Sequence, residues 1–164
     1  MTLTLPVINR ELFDPVATWF TRIPHSQVLG IQVVHGERGR ATLMLPYKPE
    51  LVGNRKTGVL HGGVITSLID NASGLSIYSL LEQAEAIATL DLRIDYLRPA
   101  TPGLPVYCMA ECYRLSRQIA FTRATAYQDD NSQPVAYSVG TFMRGANSGV
   151  ITGDGNAEKH GGNQ

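Results

Sequence analysis

Three things are scarce in this 164-residue chain: excess charge of either sign, cysteine, and long apolar runs. Fourteen basic residues face fourteen acidic ones, so nothing in the charge balance suits nucleic acid or an anionic membrane as partner. No apolar stretch reaches the roughly 20 residues that a spanning helix needs. The opening "MTLTLPVINRELFDP" has no basic segment leading into an apolar one, so no signal peptide is expected and the chain is read as cytoplasmic. The two cysteines, Cys108 and Cys112, stand four apart on one predicted strand. An extended chain holds such a pair about 13 Å apart, too far for a disulfide. With no histidine nearby they make no metal set either, and buried thiols are expected.

What is present suits one globular domain. At 43% hydrophobic and 17% charged residues, the chain can bury a core, and its length fits a single unit. The domain is expected to span residues 1–145. The Gly- and Asn-rich tail, residues 146–164, carries no pattern and is expected to be flexible.

Apolar residues at helical spacing in "NRELFDPVATWFTRI" predict one short helix over residues 9–23, with a break allowed at Pro15. Two β-rich runs flank "HGERG" and predict a hairpin whose second strand turns Ala41, Leu43 and Leu45 to one face. A polar loop, 47–58, leads into the one long helix candidate, Leu60 to Leu81. Four strand-like segments follow, at 86–98, 104–115, 118–128 and 134–145. Short loops between them predict antiparallel neighbours in sequence order. In the first, Leu90, Leu92, Ile94 and Tyr96 alternate with Thr89, Asp91, Arg93 and Asp95. The sum is an α+β architecture: an antiparallel sheet wrapped round one helix, with Ala72, Ser73, Gly74 and Ser76 as the small residues that let the helix approach the sheet.

Chemistry concentrates in "GVLHGGVITSLIDNASG", residues 58–74. His61-Gly62-Gly63 open the helix, where backbone N–H groups are unpaired and the helix dipole is positive. Glycines there admit a ligand atom close to the backbone, which suits a carboxylate, a phosphate or a developing oxyanion. Asp70 lies inside an otherwise apolar stretch, where a carboxylate is rare unless paired or functional. It is either a solvent-facing residue, a carboxylate satisfied by Ser67 or Asn71, or a base or nucleophile tuned by its site. Gly62 and Asp70 are eight residues, about 12 Å of helix, apart. If both act on one carbonyl, they must come from two helices packed antiparallel across a two-fold axis.

These residues resemble the signature of the hotdog-fold acyl-CoA thioesterases, in the phenylacetate-pathway and human thioesterase superfamily member 2 branch. The resemblance is carried by "LHGGVITSLIDNASG", "ATLDLRIDYLRPATPG" and "RQIAFTRATAYQDDNSQPVAYSVGTF", and covers roughly residues 25–145. It implies a hotdog fold and hydrolysis of an acyl-CoA to free acid and CoA, with no metal or bound cofactor. It further implies that the Gly62 N–H polarises the thioester carbonyl, that Asp70 is general base or nucleophile, and that Thr89 positions the attacking water. The family's Asn or Gln before the histidine corresponds to Asn54, one residue out of register because Arg55 fills the expected position. His61 is expected to fix the loop or bond near the carbonyl. CoA phosphates are expected to meet a basic rim, with Arg117 and Arg55 first and Arg93 next, from a set that also holds Arg98, Arg114, Arg123 and Lys56. The family implies a homodimer, pairing further into a homotetramer. Rival readings are a hotdog dehydratase or hydratase, whose His-rich loop is missing, and a non-catalytic acyl-CoA-binding protein, which would have no use for Asp70.

Overall fold

The structure is a computed structural model that describes residues 5–130 and 132–145; the expected tail, 146–164, lies outside the described residues. The chain opens with helix α1, Arg10–Arg22, capped by Asn9, whose Oδ1 accepts from the Leu12 N–H at 3.2 Å. The helix runs through Pro15 without a break. Only one intrahelical bond is lost there, and α1 gains the burial of Phe13 and Phe20 on either side of it. A second short helix, α2, Pro24–Leu29, follows with proline at its first position and ends on Gly30 at φ 79°. The sequence reading did not foresee it, although a proline at a helix start is a recognisable signal.

Strands β1 (Gln32–Glu37) and β2 (Arg40–Leu45) form the expected hairpin. Most of "HGERG" is strand, and only Arg38 and Gly39 make the turn. Ala41, Leu43 and Leu45 are all buried, as expected. The polar loop contains a 3-10 turn, Pro49–Leu51, and a two-stranded ribbon of β3 (Val52–Asn54) and β4 (Val59–Leu60). The ribbon delivers the chain directly into helix α3, Gly62–Tyr78. Strands β5 (Ile87–Tyr96), β6 (Val106–Leu115), β7 (Ile119–Tyr127) and β8 (Ala136–Arg144) complete a six-stranded antiparallel sheet in the order β1-β2-β6-β7-β8-β5.

One neighbour relation differs from expectation. β5 pairs with β8, at the far edge, and not with β6. Residues 97–105 therefore cross the end of the sheet. The buried Gln128 staples that crossing: its amide oxygen accepts from the Thr101 N–H at 2.7 Å, and its Nε2 donates to the carbonyls of Thr101 and Leu104.

Helix α3 packs against β2, β6 and β7 on one side and α1 on the other. This two-sided cover explains why every residue from Ala72 to Ser79 is buried. Gly74 does not serve the sheet centre, as had been expected. A Cβ there would lie 3.3 Å from the Phe20 ring of α1 and 3.6 Å from Ile87. Cys108 and Cys112 are free buried thiols; burial pushes both upward, Cys112 to about 11.

Candidate active site

The site begins where β4 meets α3. His61 is the N-cap, in extended conformation at φ −66° and ψ 133°, and its ring Nδ1 accepts from the Gly63 N–H at 2.9 Å. Nδ1 is thus the acceptor nitrogen, and the proton of the neutral ring sits on Nε2. The two glycines are needed for separate reasons. A Cβ at Gly63 would lie 2.9 Å from His61 Nδ1 and destroy the cap. A Cβ at Gly62 would lie 3.2 Å from the Tyr96 hydroxyl. The Gly62 N–H stands at the first helical position, short of the amides a cap side chain reaches, and has no acceptor among the described residues.

Tyr96 fixes this opening from the other side. Its hydroxyl donates to the Gly62 carbonyl at 2.7 Å and lies 2.9 Å from Thr66 Oγ1. Sequence reading placed Tyr96 among alternating apolar residues and gave it no role. Beside Gly62 lies a cavity of about 360 Å³, bounded by Tyr96, Leu97, Arg98 and Pro99.

Asp70 lies two turns further along α3, half-buried. Its partner is neither Ser67 nor Asn71. Ser67 donates to the Gly63 carbonyl at 3.0 Å, and Asn71 Nδ2 donates to the Ser67 carbonyl at 2.8 Å. Instead, the Thr89 hydroxyl donates to Asp70 Oδ1 at 2.8 Å. Burial holds the Asp70 carboxyl above its ordinary range, and the Thr89 bond pulls it partly back. Asp70 Oδ2 takes no hydrogen bond among the described residues and is free to accept a proton.

A β-bulge brings Thr89 to this place. The β5–β8 register shifts between Thr89 and Asp91, leaving Leu90 as the extra residue, half exposed. Strict alternation would put Thr89 on the face opposite Leu92 and Ile94. With the bulge, Thr89 reaches α3 while Leu92 and Ile94 still pack on the core.

Asp70 and Thr89 sit on the wall of a second cavity, of about 440 Å³. Ile87 and Phe142 continue that wall, Gly74 and Tyr78 line the helix side, and Trp19 and Phe20 of α1 with Ile23 just after it form the opposite side. Near Asp70 the lining turns polar through residues of α2 that sequence reading missed. His25 Nε2 lies 3.0 Å from Ser67 Oγ, and the buried Ser26 donates to Asn71 Oδ1 at 3.4 Å.

Of the remaining expected residues, Asn54 lines neither cavity. Its Oδ1 accepts from the Lys56 N–H at 3.0 Å, and its carbonyl takes the Gly58 N–H at 2.8 Å, which shapes the ribbon turn just before His61. Arg93 is held by Asp95, with Nη2 to Oδ1 at 3.0 Å. Arg55 and Arg117 are exposed on the β3–β4 and β6–β7 turns. Of the basic-rim candidates, Arg98 is the one that borders the Gly62 cavity, with Nη2 donating to the Gln133 carbonyl at 2.6 Å. Among the described residues no three potential ligands cluster in a metal-binding arrangement, and no helix is long and apolar enough to cross a membrane.

Residues 57–135 match the thioesterase superfamily. The chain is 32% identical over 136 residues to the medium/long-chain acyl-CoA thioesterase YigI of Salmonella typhimurium, across 75% of this chain and 86% of that protein. It belongs to the thioesterase superfamily. Among solved structures, a Pseudomonas aeruginosa protein is similar at 46% identity and TM-score 0.73, covering 81% of this chain and 98% of that one. The Escherichia coli PaaI protein of the phenylacetic acid degradation operon shares the fold at TM-score 0.71 and 20% identity, covering 82% and 93%. The α+β hotdog architecture expected from sequence is what the structure has, and membership in this family makes the chain a thioester hydrolase.

Proposed function

We propose that the chain hydrolyses an acyl-CoA at sites completed across a two-fold dimer, each by Asp70 of one protomer and Gly62 of the partner subunit. The observation that carries this reading is the division of labour along α3. The free N–H at Gly62 and the threonine-held carboxylate at Asp70 border different cavities of one protomer. About 12 Å of helix separates them, so one thioester cannot touch both within a single chain. An antiparallel pair of α3 helices would bring them together twice.

In the reaction, the Gly62 N–H of the partner subunit donates a hydrogen bond to the thioester oxygen and stabilises the negative charge that builds on it. Asp70 takes a proton from water, and the water oxygen bonds to the carbonyl carbon. The C–S bond then breaks, and the thiolate recovers the proton from Asp70, giving free acid and CoA. Thr89 aligns the carboxylate through Oδ1 and leaves Oδ2 for the water. His61 acts by capping Gly63, which fixes the helix start beside the unpaired Gly62 amide. Arg98 on the wall beside Gly62, with Arg55 and Arg117 on exposed turns, gives a basic border for the CoA phosphates. These steps call for no metal or bound cofactor. A cytoplasmic homodimer, pairing further into a homotetramer, is the assembly this reading requires at minimum and extends to.

Two measurements test it. Thiol release is followed with a chromogenic reagent on acetyl-, hexanoyl-, decanoyl- and phenylacetyl-CoA; absence of CoA release from all four would refute the activity. Gly62→Pro and Asp70→Asn proteins are then co-refolded. Each alone is inactive, and random pairing restores about a quarter of wild-type activity, since half the dimers carry one intact site of two. No recovery would refute the shared site.

A further inference from the structure

The Asp70 cavity has a direction that hydrolysis alone does not require. Asp70, Gly74 and Tyr78 succeed each other at four-residue spacing and form one stripe of α3. Polar groups gather at its upper end, where His25, Ser26, Thr89 and Asp70 lie. Below Asp70 the lining is Phe20, Gly74, Tyr78, Ile87 and Phe142. The Tyr78 hydroxyl donates to the Glu85 carbonyl at 2.8 Å, so the deep end presents a ring with its polar hydrogen already used. From Asp70 to Tyr78 is about 12 Å along the helix.

We propose that this recess, closed by α1 of the same protomer, receives the acyl chain and sets its length, with Gly74 keeping the passage open and Trp19 forming its end wall. The inference rests on the thioesterase reading above. An extended chain advances about 1.2 Å per bond, so the recess suits a straight acyl chain of about ten carbons. Gly74 is the narrow point, because any side chain there meets Phe20 at 3.3 Å and Ile87 at 3.6 Å. Beyond Trp19 and Tyr78 lies a further hollow of about 170 Å³, lined also by Pro15 and Val16. Trp19 borders both spaces, stands on Phe20 edge-to-face at 5.4 Å, and is 42% exposed. Its removal joins the two spaces without cutting into the core.

The test is a chain-length profile from butanoyl- to hexadecanoyl-CoA, with kcat/KM for wild type, Gly74→Val and Trp19→Ala. Burying each added methylene favours binding about fourfold. Wild type should therefore climb with chain length and break near ten carbons. Gly74→Val should lower the decanoyl-to-butanoyl ratio at least tenfold, and Trp19→Ala should move the break to longer chains. A flat wild-type profile with hydrolysis intact, or an unmoved break in Trp19→Ala, would overturn the inference while leaving the hydrolase assignment standing. Trp19 is the chain's single tryptophan, so its fluorescence gives a readout independent of turnover. A decyl thioether of CoA should shift Trp19 emission where CoA alone does not. Equal response to both, or none to either, would place the chain elsewhere even if no ester were hydrolysed.

Discussion

Replacing Thr89 with valine keeps the shape of the side chain and removes one donor, the hydroxyl that bonds Asp70 Oδ1 at 2.8 Å. A hydrogen bond to a charged group contributes about 1.5–3 kcal/mol. Asp70 is only half-buried, and water can partly replace the lost donor, so the lower end applies. About 1.5 kcal/mol is roughly a tenfold fall in kcat if the alignment is needed in the transition state. The pH dependence gives a second, independent reading. The Thr89 bond lowers the Asp70 pKa against the upward push of burial. Without it, burial acts alone, the carboxyl holds its proton to higher pH, and the acidic limb of kcat/KM moves toward neutrality. Thr89→Ser, which keeps the donor, should restore both rate and limb. The assay is thiol release across pH 4–8 at acyl-CoA concentrations from well below to above KM, which yields kcat and kcat/KM at each pH. If Thr89→Val kept its acidic limb where wild type has it, Asp70 would not be the group whose ionisation governs the rate.

Three further expectations follow from the same geometry. Asp70→Asn should abolish thiol release and yet raise the thermal midpoint at neutral pH. A carboxyl whose folded pKa is raised stabilises the fold only while protonated, and that contribution is lost as pH rises through the folded value; the advantage of the variant should shrink in thermal scans toward pH 3. Gly62→Pro deletes the one N–H proposed to meet the thioester oxygen, at a first helical position that tolerates proline and after a His61 already at ψ 133°; its Cβ also presses on the Tyr96 hydroxyl at 3.2 Å, and Tyr96→Phe, read beside it, separates the two effects. It should cost about 10²–10³ in kcat with the helical circular dichroism retained. Tyr96→Phe removes the donor to the Gly62 carbonyl and should lower kcat more than it raises KM; a change in KM alone would show that Tyr96 only shapes the cavity.

Much of the fold could be read from the chain because the relevant signals are local. The apolar run to Tyr78, the period-two segments and the glycine of the β1–β2 turn each declare their element within a few residues. What escaped reading depends on contacts distant in sequence. β5 joins β8 across 40 or more residues of chain, and nothing in the short loops after it announces that exchange. The bulge at Leu90 is likewise silent, since the alternation of Leu90, Leu92 and Ile94 is unbroken in sequence. Its effect is to place Thr89 on the helix side, so the right residue was expected for a register that the strand does not keep. His25, Ser26 and Tyr96 were missed because their role comes from position: α2 carries His25 and Ser26 to the cavity, and the end of β5 carries Tyr96 to Gly62.

The two adjacent glycines show how a short motif can hold two requirements at once. A helix normally satisfies its first N–H groups with a serine, threonine, aspartate or asparagine cap. Here the cap is an imidazole, and its reach takes it to Gly63, the second helical residue, at 2.9 Å. The amide of Gly62, the first helical residue, stays unpaired at the positive end of α3, while Tyr96 and Thr66 hold the carbonyl of the same residue. The peptide on either side of Gly62 is thus fixed, and its N–H is the one group at the helix start still able to bind. A side chain at Gly63 would displace the ring, and one at Gly62 would displace Tyr96. Serine or aspartate at position 61 would also bond the second or third helical amide and leave that of Gly62 free, so the cap alone does not call for an imidazole. His61→Ser should therefore keep the helix and most of the activity if the imidazole serves as a cap alone, and loss of thiol release with the helical circular dichroism retained would show that the ring acts beyond capping.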